Sequence, residues 1–168
     1  MATYELVSVT CITPSTGVSG FATNVITAIY GAVGGAVAGA LSVMTGPGAI
    51  FIGAIGSVAG SIVGMGVGSL LEELGQILPD SLYIEVNRQK VWPTDEQARN
   101  INSGDIIKLF IRGEFNSHIT ITLKEWDVVG DDNLGEFIIN PETTGNDLCY
   151  LVANPQEGDI YEVILNIS

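Results

Sequence analysis

The chain has 168 residues, a net charge of −13 and 21 glycines, with only 15% charged side chains, where a soluble domain typically carries roughly 25%. This acidity excludes a nucleic-acid binder, which needs a basic footprint to displace counterions, and it opposes simple adhesion to anionic lipid. The length suits one domain or two small ones.

Charge is unevenly placed. No Asp, Glu, Lys, Arg or His lies between Glu5 and Glu72. The sequence therefore joins an apolar Gly/Ala-rich part to an acidic, β-like part. Met1–Glu5 offers no basic n-region and no cleavage motif follows, so a standard secretory signal is not expected. The expectation is synthesis in the cytoplasm and a membrane-associated destination, with any exit from the cell by lysis or by a dedicated export or injection machine. Cys11 and Cys149 are read as reduced packing residues, with a single bridge between them as the open alternative.

In chain order, Thr3–Ile12 alternates as a strand, with Val7, Val9 and Cys11 on one face and Ser8 and Thr10 on the other. Pro14-Ser15-Thr16-Gly17 breaks it. Phe21–Met44 and Ala49–Leu71 are two long apolar stretches joined by Thr45-Gly46-Pro47-Gly48, and Pro79 stops the second. Each is long enough to cross a bilayer core, which takes about 20 residues. They are expected to form an αα-hairpin.

Glycine costs about 1 kcal/mol relative to Ala inside a helix, so its placement must be explained. Gly31, Gly35 and Gly39 recur every fourth residue, as do Gly56, Gly60, Gly64 and Gly68. On helices these positions form bare stripes where two backbones can approach closely. The pattern resembles the glycine zippers of membrane-active and pore-forming proteins. A flexible low-complexity stretch and a buried soluble helix pair are the competing readings.

Beyond Asp80 the chain alternates like an antiparallel sandwich. Leu82, Ile84 and Val86 share a face, as do Ile119, Ile121 and Leu123, and a closing strand carries Tyr161, Val163, Leu165 and Ile167. Further strands are expected at Asp105–Ile111, Gly135–Ile139 and Leu148–Val152, between turns at Asn102-Ser103-Gly104, Gly130-Asp131-Asp132 and Thr144-Gly145-Asn146.

The stretch Lys124-Glu125-Trp126-Asp127-Val128-Val129-Gly130-Asp131-Asp132-Asn133-Leu134-Gly135 delivers acids into a loop between two strands. Converging carboxylates suit a hard cation. This stretch resembles the third membrane-facing loop of the C-two domain, the calcium- and phospholipid-binding β-sandwich, and Asp80–Asn87 resembles a strand start of that family. The resemblance implies calcium as cofactor, with Asp80, Asp127, Asp131 and Asp132 as metal ligands. Val129 stands where the family has a further Asp.

No catalytic constellation emerges. His118 is the sole histidine, and neither a GxSxG elbow nor a phosphate-binding glycine loop is present. Trp92 and Trp126 are read as sandwich core or edge residues, with interfacial anchoring as the alternative.

The sequence thus predicts an α+β chain. Residues 1–16 and 79–168 would form a C-two-like antiparallel β-sandwich, and residues 17–78 a glycine-zipper helical hairpin inserted after the first strand. The expected function is non-enzymatic: membrane insertion and homo-oligomerisation, as a pore-forming bacterial toxin or injected effector, with a chaperone or immunity protein as a candidate partner. The alternatives are a non-lytic structural assembly and a calcium-dependent membrane-binding adaptor.

Overall fold

A computed structural model describes residues 1–15, 48–53, 78–154 and 156–168. Among the described residues ten strands run in chain order: β1 Ala2–Thr13, β2 Gly48–Gly53, β3 Asp80–Val86, β4 Gln89–Trp92, β5 Arg99–Ile101, β6 Ile106–Phe115, β7 Ile119–Glu125, β8 Asp132–Ile139, β9 Gly145–Asn154 and β10 Asp159–Ile167. All their pairings are antiparallel. The first sheet has the order β2-β9-β10-β1-β6. The second has β4-β3-β7-β8, with β5 also pairing β3.

The two sheets face each other as a β-sandwich. Leu6, Val9, Tyr161, Val163, Leu165 and Val152 from the first sheet meet Leu82, Ile84, Ile121, Leu123, Leu134 and Ile139 from the second. Period-two alternation delivers these side chains to one face of each strand. The architecture is compatible with a C-two-like sandwich.

The expected α+β class is overturned. The described residues are all-β and contain no helix. Ala49, where the second apolar stretch begins, lies instead in β2, which adds to the first sheet beside β9 through pairs such as Ile50↔Leu151. Ile50-Phe51-Ile52 is a β-branched and aromatic run, and a short continuous apolar run has no periodicity to separate a buried strand from a helix. Gly48–Gly53 therefore belongs to the sandwich, inside the range assigned by sequence to the inserted hairpin. Gly31, Gly35, Gly39, Gly56, Gly60, Gly64 and Gly68 all lie outside the described residues. Among the described residues, no helix is long and apolar enough to cross a membrane.

Two local features also depart from simple alternation. A bulge between Leu6 and Ser8 places both Leu6 and Val9 in the core and leaves Val7 only half-buried, because the extra residue resets the phase of the strand. The β3–β4 hairpin turns through Asn87 and Arg88, whose φ values are 50° and 65°. Two left-handed residues in succession match the twist of a tight hairpin.

The outward face of β1, β9 and β10 is buried as well. Thr10, Cys149, Leu151, Ala153, Glu162 and Ile164 point away from the inter-sheet core, yet all are buried. Cys11 and Cys149 both occupy buried positions.

Candidate functional site

At one end of the sandwich, β3, β8 and β10 begin while β1, β7 and β9 end. Each strand that reaches this mouth carries its core-facing alternation one step further, and the residues there are polar. Asp80 continues Leu82 and Ile84. Glu125 continues Ile121 and Leu123. Asp159 continues Tyr161 and Val163, and Thr13, past a bulge after Cys11, is buried at the end of β1. The space between the sheets is thus apolar along its length and closed at this end by three carboxyl groups.

Asp80 is almost fully buried. Its Oδ1 and Oδ2 accept the Ser15 backbone N–H at 2.9 and 3.1 Å, and Oδ2 also accepts the Tyr161 hydroxyl from the opposite sheet. The Ser15 hydroxyl donates to Glu125 Oε2 at 3.4 Å. Asp159 has no exposed surface, and among the described residues neither of its carboxyl oxygens finds a donor in hydrogen-bond geometry. The backbone amides of Asn154 and Asp159 lie near enough to favour its charged form slightly, but without hydrogen-bond geometry. The Thr13 hydroxyl is likewise buried and unbonded.

The electrostatics follow from burial and crowding. Burial first, and then the charge of Asp80, push Asp159 up to about 9. The same two causes push Glu125 up to about 7. Burial raises Asp80 too, opposed by the bonds from Tyr161 and Ser15. Burial followed by the nearby acids raises the Cys11 thiol, so Cys11 is an inert packing thiol rather than a nucleophile.

The β7–β8 loop projects from the same end. Val128 is 83% exposed, Val129 94% and Trp126 38%, and Leu78, just before β3, is 79% exposed. Four exposed apolar residues therefore lie at the end of the sandwich that holds the buried acids. Trp92, by contrast, is buried, beneath the Arg99 guanidinium at 5.3 Å. His118 is exposed just before β7.

The four aspartates expected to hold calcium are not brought together. Asp80 faces the inter-sheet space. Tyr83, three residues on, points to the outer face of the same sheet, where its hydroxyl donates to Asp131 Oδ2 at 2.7 Å. Asp131 Oδ1 accepts the Asp127 N–H at 3.2 Å, and Asp127 Oδ1 accepts the Val129 N–H at 3.4 Å. Asp127, Asp131 and Asp132 are exposed. The second sheet separates Asp80 from Asp131, and Asp80 already has donors on both oxygens. Among the described residues, no group of three or more His, Cys, Asp or Glu is placed to hold a metal ion.

Comparison with known proteins adds no constraint. No protein-family model and no curated protein matches the chain.

Sequence reasoning missed Tyr161 as the bonding partner of Asp80 and Glu125 and Asp159 as the acids beside it. The signal was present: each acid falls in phase with the apolar residues of its strand, where a solvated acid would fall out of phase. Register across the sheets then decides that these in-phase acids meet at one end.

The opposite end differs in character. A cleft of about 590 Å³ is lined there by Thr3, Glu5, Arg112, Asn146, Asn166 and neighbouring backbone. Arg112, Glu5 and Asn166 stand in one row across β6, β1 and β10. Arg112 Nε and Nη2 both donate to Glu5 Oε1, at 2.9 and 2.7 Å. The Arg112 guanidinium holds the Glu5 carboxyl below its usual range, so this row is internally neutralised.

Proposed function

We propose that this chain engages lipid membranes, with the sandwich as a platform and the loop-bearing mouth as the end that meets the bilayer. The observation that carries this reading is the clustering of Leu78, Trp126, Val128 and Val129 as exposed apolar residues at one end. Soluble domains commonly expose single apolar residues, but several at one rim mark a contact surface. Burying two valines and part of a tryptophan contributes about 1.5–3 kcal/mol per fully buried side chain.

Composition supports the same direction. Residues 16–47 and 54–71, outside the described strands of the sandwich, carry no charge, so transfer of these stretches towards lipid would involve no desolvation of an ion. In a C-two-like reading of the sandwich, loops at one end face lipid, and the β7–β8 loop occupies that position. Oligomerisation and pore formation are the fuller form of this proposal. A non-lytic assembly that only coats or links membranes is the alternative outcome.

Vesicle flotation tests the docking surface. Full-length protein should float with zwitterionic phosphatidylcholine vesicles, and the Val128→Asp/Val129→Asp variant should remain in the dense fraction while keeping its melting temperature. Equal flotation of both proteins would remove the β7–β8 loop from the contact. Dye release in the same samples separates the pore-forming reading from the non-lytic one.

A further inference from the structure

The mouth of the sandwich holds more acid than its surroundings can neutralise. Asp80 has two donors, the Ser15 amide and the Tyr161 hydroxyl. Glu125 has the Ser15 hydroxyl and the nearby Ser81 amide, and among the described residues no donor meets either Asp159 oxygen in hydrogen-bond geometry. The titratable groups facing the cluster are Cys11 on β1, Asp105 before β6, Asp132 on β8 and Tyr161 on β10. None is cationic. Nor does any Lys, Arg or His occur between Glu5 and Glu72 that could supply a counter-charge.

We propose that the mouth is a proton-operated latch that accommodates one negative charge, on Asp80, and opens when Glu125 and Asp159 lose their protons. In the closed state Asp80 carries the charge because it accepts the Ser15 amide on both oxygens and the Tyr161 hydroxyl from the opposite sheet. Glu125 and Asp159 are neutral carboxylic acids, and the Asp159 oxygens tolerate burial without partners because they bear no charge. As pH rises, Glu125 releases its proton to solvent first, since it is half-buried at the rim. Asp159 follows at higher pH. Two or three like charges then share a space with no cation, and the least costly relief is movement of the acids into water.

What opens is identifiable. The Ser15 amide bonds Asp80, its hydroxyl bonds Glu125, and Tyr161 crosses between the sheets to Asp80. Separation of the three acids therefore releases the end of β1 from β3 and β7. The burial-raised proton affinities of Asp159 and Glu125 place this transition on the alkaline side of neutrality. The inference rests on the sandwich alone and holds whether or not the protein meets a membrane.

Amide hydrogen exchange on the full chain tests it. The protection of the Ser15 amide, corrected for the intrinsic rate at each pH, is compared with that of Leu165 in the middle of β10. Between pH 6 and 9 Ser15 should lose at least about tenfold relative to Leu165, equivalent to about 1.4 kcal/mol of local opening. The Asp159→Asn/Glu125→Gln variant should show no such relative loss. A flat ratio in the wild-type protein, or an equal fall in the variant, would overturn the latch. Should the double variant fail to fold, thiol labelling of the wild-type chain decides. Labelling at Cys11 relative to Cys149, each referenced to the unfolded chain at the same pH, should rise with pH, and a constant ratio would overturn the proposal.

Discussion

The Tyr161 hydroxyl reaches from the first sheet to Asp80 in the second, and this bond crosses the interior where the two sheets part. Tyr161 has no exposed surface and Asp80 almost none. Tyr161→Phe should therefore lower stability by about 1–3 kcal/mol, because Asp80 keeps only the Ser15 amide while remaining buried. Urea titration at pH 7 measures this. A loss below a few tenths of a kcal/mol would show that Asp80 finds water in place of the phenol.

The pH dependence of stability has a definite sign. Asp159 and Glu125 bind protons more tightly in the folded chain than in the unfolded one. From about pH 4 to about 9 for Asp159, and to about 7 for Glu125, folding takes up protons, so stability is highest on the acid side and falls as pH rises. General repulsion in a chain of charge −13 acts in the same direction. The Asp159→Asn variant separates the two causes. It should melt near the wild-type temperature at pH 5 and above it at pH 8.5. Parallel melting curves across that range would assign the whole dependence to net charge.

Gly113 is tied to Tyr4 by space rather than by backbone conformation. A Cβ added at Gly113 would come within 2.5 Å of Tyr4 Cε1 and 2.7 Å of Cζ. The Tyr4 ring is buried and packs at 6.2 Å from Phe115, so it has little room to retreat. Gly113→Ala should destabilise by about 1–3 kcal/mol through overpacking. Paired with Tyr4→Leu, the same substitution should cost less. Additive losses in that double-mutant cycle would place the strain elsewhere.

Calcium should leave the melting temperature of the full chain unchanged at millimolar concentrations. The reason is the division of Asp80 from Asp131 across the second sheet, with Tyr83 bonded to Asp131 on the outer face, so that no three acids among the described residues are placed to hold a metal ion. A calcium-dependent rise that disappears in Asp127→Asn would show that the β7–β8 loop rearranges to gather its acids.

Lipid charge should modulate membrane association in the direction opposite to that of basic docking modules. Asp127, Asp131 and Asp132 flank the exposed valines, so vesicles rich in phosphatidylserine should bind less than zwitterionic ones at low salt. Added salt should narrow the gap by screening. Stronger binding to the anionic vesicles would point to a contact surface away from this loop.

The sequence by itself determined most of the strands and both of their faces. Alternation in Leu82-Ile84-Val86, Ile119-Ile121-Leu123 and Tyr161-Val163-Leu165-Ile167 is a local property, because side chains two apart share a face whatever the strand pairs with. The charge-free stretch after Glu5 and the exposed acidic loop were equally plain. Ile50-Phe51-Ile52 was not legible as a strand, since a short continuous apolar run reads alike in both conformations, and only pairing with Tyr150 and Leu151 decides it. Nor could local reasoning group the acids. Sequence proximity joins Asp127, Asp131 and Asp132, whereas the sheet sends Asp80 inward, to Tyr161 from 81 residues away. Antiparallel register brings the start of β3, the end of β7 and the start of β10 to one end, and this register turns three separated, in-phase carboxyls into a single buried cluster.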